Sequence, residues 1–182
     1  MFFSSFINFL VVLLFDGGKI VKYEHVIEES WEELVGNFKD GEFSPRCEAD
    51  IQCYLYSLLL KNIKYDVARI HAEWKNKSKH TDITLGKMGK QLAIEIKCAK
   101  YKPRGRKIDM AKSWSNDVKR LSKTLSSRKP SFVLFVYKKN NKGGWEQPKM
   151  DPKANYLKRL AKLKKHAETK RIKVYSNDEK RG

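Results

Sequence analysis

The run Ser131–Tyr137 (SFVLFVY) restricts the fold of this 182-residue chain more than any other segment. It is apolar without alternation, the pattern of a strand buried on both faces, and a sheet hides both faces only beneath two covering layers. Hydrophobic residues make up 41% of the chain, ordinary for a folded protein and enough for the core of one domain. The expected class is therefore α/β, with a central mixed sheet flanked by helices.

The remaining elements follow from periodicity. An acidic amphipathic segment over Tyr23–Phe38 places Val26, Trp31, Leu34 and Val35 on one side, and Lys39-Asp40-Gly41 ends it. A second helix is predicted with Ser44 as N-cap and Pro45 at its first position, running to Lys61, with Ile51, Tyr54, Leu55, Leu58 and Leu59 as its stripe. Strands are predicted over Val67–Trp74, Asp82–Leu85 and Leu92–Ala99, the last two joined through Gly86-Lys87-Met88-Gly89. A basic loop, Lys100–Lys107, leads to a helix over Asp109–Ser126, with Met110, Trp114, Val118, Leu121 and Leu125 facing inward. After the buried strand come a Gly/Pro-containing loop (Asn140–Pro152), read as mobile, a Lys-rich helix over Lys153–Glu168 and a short strand, Arg171–Tyr175. The predicted order is α-α-β-β-β-α-β-α-β, in a single domain over residues 19–176 with a frayed tail from 177 to 182.

One strand carries charges that a strand in a covered sheet does not ordinarily keep. Over residues 91–98, Leu92, Ile94, Ile96 and Cys98 share one face while Glu95 and Lys97 share the other. Asp82 opens the preceding strand. Glu48 lies three residues before Ile51 and seven before Leu55, near the edge of the apolar stripe of its helix, and points toward the sheet from the first turn. Asp50 points away, toward solvent, and Gln52 toward solvent or substrate. Buried charges are costly unless paired or bound to metal. Two carboxylates beside a lysine match the needs of a divalent-metal phosphodiesterase: hard oxygen ligands for Mg²⁺ or Mn²⁺, and an ammonium to orient water or offset phosphate charge. A bland account also fits, with Glu95 and Lys97 an ion pair on a solvated strand and Glu48 complementing its helix dipole.

Charge distribution points to a polyanionic partner. Lys+Arg and Asp+Glu number 12 and 14 over residues 1–96 but 27 and 7 over residues 97–182, so the net charge of +18 belongs to the second half. Nucleic acid is the first candidate and an anionic membrane surface the second. Phosphate contacts are expected from Lys100, Lys102, Arg104, Arg106 and Lys107 on the basic loop, and from Lys119, Arg120 and Lys123 on the outward face of the next helix. Three cysteines without a CxxC pair and four scattered histidines argue against a disulfide framework or a structural zinc site, and fit a cytoplasmic setting.

The apolar N-terminal segment (residues 1–18) reads as a packed helix, a membrane anchor or export signal, or a mis-assigned start. Its 14-residue apolar run, Phe2–Phe15, is below the roughly 18–20 residues that span a bilayer. Membrane association is the less favoured reading.

Glu48, Thr81-Asp82 and Glu95-Ile96-Lys97, carried on the order α-β-β-β-α-β, resemble the PD-(D/E)xK nuclease superfamily with its restriction-endonuclease-like fold. The resemblance covers residues 44–137, with threonine at position 81 where the motif name has proline. It implies a metal-dependent deoxyribonuclease that hydrolyses phosphodiester bonds. Asp82 and Glu95 would be direct Mg²⁺ ligands with the Ile96 carbonyl a third, Glu48 a ligand through water or to a second metal, and Lys97 the residue that positions the attacking water. DNA is the implied substrate, with RNA as an alternative. A Holliday junction resolvase, which would act as a homodimer, and a non-catalytic nucleic-acid-binding protein of the same fold are the competing readings.

Overall fold

A computed structural model describes residues 23–63, 70–76, 79–86, 92–101, 110–124, 130–149 and 155–177. The N-terminal apolar segment, the basic-loop residues Lys102, Arg104, Arg106 and Lys107, and residues 178–182 lie outside the described residues. No helix among the described residues is long and apolar enough to cross a membrane.

Two helices precede the sheet: α1, residues 23–39, and α2, Glu48–Asn62. The sheet contains β1 (Ile70–Asn76), β2 (Lys79–Leu85), β3 (Leu92–Lys100), β4 (Ser131–Lys139) and β6 (Lys173–Ser176), with a two-residue strand β5 (Trp145–Glu146) on β4. Helix α3 (Met110–Thr124) connects β3 to β4, and α4 (Asn155–Glu168) precedes β6. Pairing is antiparallel from β1 to β3, then parallel from β3 to β4 and from β4 to β6. The expected α/β class, the central mixed sheet flanked by helices and the α-β-β-β-α-β order are all present, the last from α2 to β4.

Both faces of the sheet are covered. On one, α1 and α2 bury Val26, Trp31, Leu34, Ile51 and Leu55 against Ile83, Ile94, Ile96, Val133 and Phe135. On the other, α3 and α4 bury Trp114, Val118, Leu121, Leu160 and Leu163 against Ala93, Ala99, Phe132, Leu134 and Val136. Strand β4 contributes to both clusters, and residues 131–136 are buried without a break. Phe135 is the centre of an aromatic group, with ring centroids 4.6 Å from Phe38, 6.2 Å from Trp31 and 6.3 Å from Trp145. Burying such a ring stabilises the fold by about 2–3 kcal/mol.

Several boundaries differ from the sequence reading. Helix α2 starts at Glu48 with Cys47 as its N-cap, rather than at Ser44-Pro45. The cause is Asp50, whose carboxylate accepts the Arg46 N–H at 2.7 Å and the Cys47 N–H at 3.3 Å. Asp50 is thus the capping acid of α2, and the Arg46 bond above all holds its carboxyl below the usual range. Asp82 lies inside β2 rather than at its start. The loop after β4 is a turned hairpin as far as residue 149: the Asn140 side chain accepts the N–H groups of Lys142 and Gly144, and β5 pairs with Lys138 and Lys139. Asn177, assigned by sequence to a frayed tail, is buried and holds the Val136 N–H at 2.6 Å and the Val136 carbonyl at 2.8 Å.

Candidate active site at a strand fork

Strands β2 and β3 pair only from Leu85↔Leu92 to Ile83↔Ile94. Beyond that point β2 stays with β1, and β3 continues alone beside β4. The split exposes an edge of β3 whose N–H groups have lost their ladder partners, and such groups must find acceptors. Two carboxylates supply them. Asp82 Oδ2 accepts the Ile96 N–H at 2.6 Å, and Glu48 Oε2 accepts the Cys98 N–H at 3.0 Å. Gln52 fixes the other arm of the fork, its amide donating to the Asp82 carbonyl at 3.0 Å. Gln52 is therefore a structural contact of this fork.

The face of β3 beneath α3 reads Ala93, Glu95, Lys97, Ala99. The two alanines are fully buried and let α3 approach. Glu95 sits between them with its side chain only 3% exposed. Its Oε1 receives the Lys97 ammonium at 3.0 Å and also the Arg120 guanidinium from α3. Arg120 is held in turn by Asp117, 3.5 Å away and one helical turn earlier. Lys97 Nζ lies 4.0 Å from Glu48 Oε1. All four residues predicted for the centre, Glu48, Asp82, Glu95 and Lys97, thus gather at the fork.

Electrostatics follow from this crowding. Burial raises the Asp82 carboxyl above its usual range, against the pull of the Ile96 N–H, Lys97 and Arg120. Glu95 is raised by burial and then by the neighbouring Asp82 charge. Burial disfavours the Lys97 ammonium, but attraction from Glu95, Asp82 and Glu48 outweighs it, so this lysine stays protonated. Burial, and next the Glu48 charge, push the Cys98 thiol up, which makes it unreactive as a nucleophile. Among the described residues, no group of three or more His, Cys, Asp or Glu side chains is gathered tightly enough to hold a metal ion. The oxygen donors at the fork are Asp82, Glu95 and the Ile96 carbonyl, which leaves an extended strand on the same edge as its N–H.

Of the basic residues expected to hold phosphate, Lys100, Lys119 and Lys123 are exposed. The Arg120 guanidinium reaches Glu95 and Asp117 while its side chain stays 36% exposed, so its position differs from that of the outward lysines. Sequence carried one signal for this. Position 117 borders the stripe of Trp114, Val118 and Leu121, and an arginine three residues on is within pairing reach of it, which draws Arg120 toward that border. Asp82 and Glu48 as acceptors of β3 N–H groups had no such signal, because nothing in the sequence marks where two strands part.

No protein-family profile matches this chain, and no curated protein matches it. Among solved structures it is similar to the SfsA protein of Pyrococcus furiosus in complex with Ca²⁺, at 13% identity with a TM-score of 0.41. The match covers 70% of this chain and 56% of that one, so the chain spans little more than half the length of that neighbour. A likeness this distant assigns no residue a role.

Proposed function

We propose that this protein is a metal-dependent phosphodiesterase that cuts DNA, with Asp82, Glu95 and Lys97 at the strand fork as its centre. The observation that carries this reading is the fork itself. A nearly closed Glu95 lies beside Asp82, each carboxyl raised by burial, with Lys97 held charged against them. Neighbouring buried carboxylates repel, and a cation between them relieves that repulsion.

The donor set fits Mg²⁺ or Mn²⁺, since carboxylate and carbonyl oxygens are the hard ligands these ions take. Asp82, Glu95 and the Ile96 carbonyl would hold the ion, with Glu48 within reach through water. When bound, such an ion offsets phosphoryl charge and makes bound water more acidic. The Lys97 ammonium orients the attacking water and faces the developing negative charge, and being protonated it does not act as the base. Lys100, Lys119 and Lys123, with Lys158, Lys162 and Lys165 exposed on α4, form the phosphate-holding surface. Such a surface positions a backbone without reading sequence.

The test is cleavage of duplex and four-way-junction DNA with Mg²⁺, comparing the unaltered protein with Lys97→Ala and Asp82→Asn. Activity should fall at least about 100-fold in both variants while binding persists. Retained cleavage in both would sink the assignment. Binding without cleavage by the unaltered protein would instead mark a non-catalytic nucleic-acid-binding protein. Preference for junctions together with a dimeric mass would mark a resolvase.

A further inference from the structure

A second cleft opens beside the fork, and the mechanism above does not use it. It encloses about 710 Å³ between the end of α1, the segment before α2 and the hairpin after β4. Its aromatic lining comes from the half-buried Phe43 and the buried Tyr101 and Trp145, and its charged lining from Lys39, Lys138 and Lys149 together with Glu146, which pairs with Lys138. Ser44 and Tyr101 lie four residues along the chain from the fork residues Glu48 and Lys97, about 13 Å for the extended strand.

The walls are tied together. The Trp145 N–H donates to the Pro45 carbonyl at 3.2 Å, which fastens the hairpin to the segment leading into α2. Trp145 stacks on Tyr137 with centroids 3.7 Å apart and planes 8° from parallel. Tyr137 is within electrostatic reach of Glu48 and Cys98, so this stack runs from the cleft back to the fork. Phe43 is half-buried and is set in place by a stack on Tyr54 at 4.1 Å. Trp145 itself is buried, stacked between Phe135 and Tyr137, and serves as a rigid wall of the cleft. Lysines around rigid aromatic rings are the combination that holds unpaired nucleic acid: charge follows the backbone, and ring faces take bases of any sequence. The volume is that of a small-ligand pocket, suited to a nucleotide or two and far too small for a duplex.

We propose that this cleft holds an unpaired strand of nucleic acid next to the fork, with phosphates on Lys39, Lys138 and Lys149 and a base against Phe43. The proposal deepens the nuclease reading and rests on it: the substrate would carry a single-stranded segment, as a flap, a branch or an open end.

The experiment measures binding without metal, so that no cleavage intervenes. Fluorescence anisotropy compares a short oligothymidine with a duplex of equal length, using the unaltered protein, Lys138→Gln with Lys149→Gln, Phe43→Ala, and Lys119→Gln with Lys123→Gln. The cleft variants should weaken oligothymidine binding about tenfold and duplex binding less than about twofold, whereas the α3 variant weakens both. Equal losses on both ligands in the cleft variants, or no loss on either, would overturn the proposal. Phe43→Leu serves if Phe43→Ala unfolds, and both lysines are exposed, Lys138 being tied only by a surface ion pair to Glu146 at 3.0 Å. Photocrosslinking with 5-iododeoxyuridine should label the peptides of Phe43 or Trp145, and labelling confined to α3 and α4 would also overturn it. A protein that shows the binding pattern but cleaves nothing removes the nuclease reading and leaves the cleft, so the two failures are distinct.

Discussion

Replacing Arg120 by alanine separates two roles for one cation. If Arg120 is the partner of Glu95, the substitution leaves a buried carboxylate with Lys97 alone to offset it, beside Asp82. Removing one partner of a fully buried pair costs about 3–5 kcal/mol. The Arg120 side chain is 36% exposed and Lys97 remains on the same oxygen, so the cost here should be nearer 1–2 kcal/mol. With a urea dependence of about 2 kcal/mol per molar for a domain of this size, the unfolding midpoint should drop by roughly 0.5–1 M.

The pH dependence gives the sharper reading. The folded-state pKa of Glu95 already lies above its ordinary value, and losing Arg120 raises it further. The penalty therefore exists only where Glu95 is ionised in the folded protein, and it shrinks as pH falls through that raised pKa. Urea unfolding in chelator should show a difference between Arg120→Ala and the unaltered protein that is largest at pH 8 and shrinks steadily as the pH is lowered. In a Glu95→Gln background the penalty should shrink at every pH to the smaller share owed to Asp117 and Asp82, since the closest charge that Arg120 serves is gone. A phosphate contact would behave otherwise. A penalty that is independent of pH and survives undiminished in Glu95→Gln, together with a loss of about one unit from the salt slope of DNA binding, would refute the placement of Arg120.

Two further outcomes are expected. Because Asp82 and Glu95 both have raised pKa values, binding of Mn²⁺ should release protons and weaken as pH falls from 7 to 5; calorimetry in buffers of different ionisation heat measures this, and a pH-independent affinity would contradict it. Asn177→Ala should cost about 3 kcal/mol in urea unfolding, because it strands the buried N–H and carbonyl of Val136, and a change below about 1 kcal/mol would show that β4 does not depend on this side chain.

How much of this was legible in the sequence depended on the range of the interaction. Periodicity placed the residues of β3 and β4 on the correct faces, because period two is a local property and Ser131–Tyr137 has few alternatives to a twice-buried strand. The meeting of Glu48 with Asp82, Glu95 and Lys97 was anticipated only through the family resemblance, because periodicity carries no long-range pairing. The start of α2 was misread because Ser44 and Pro45 are good starting residues, yet Asp50 satisfies the N–H groups of Arg46 and Cys47 and moves the start to Glu48. Asn177 was misread, and the contacts of Arg120 missed, for a different reason. Their partners, Val136 and Glu95, are 41 and 25 residues away, and a surface-type residue next to a long-range partner looks like any other in sequence.

The fork also accounts for how a fold tolerates charges that repel. A buried pair of like charges is a poor stabiliser, so each acid is expected to do something for the metal-free protein. Asp82 and Glu48 do so by accepting the N–H groups that β3 exposes where β2 departs, a role filled elsewhere in the sheet by carbonyls of the adjacent strand. Glu95 accepts no such group, and is kept by two cations on a single oxygen. The consequence is an asymmetry between the acids. Neutralising Asp82 or Glu48 weakens an acceptor of the β3 main chain, whereas neutralising Glu95 releases Lys97 and Arg120 and removes a repulsion from Asp82. Glu95 is thus the acid that structural stability explains least, which is what the proposed centre requires of it.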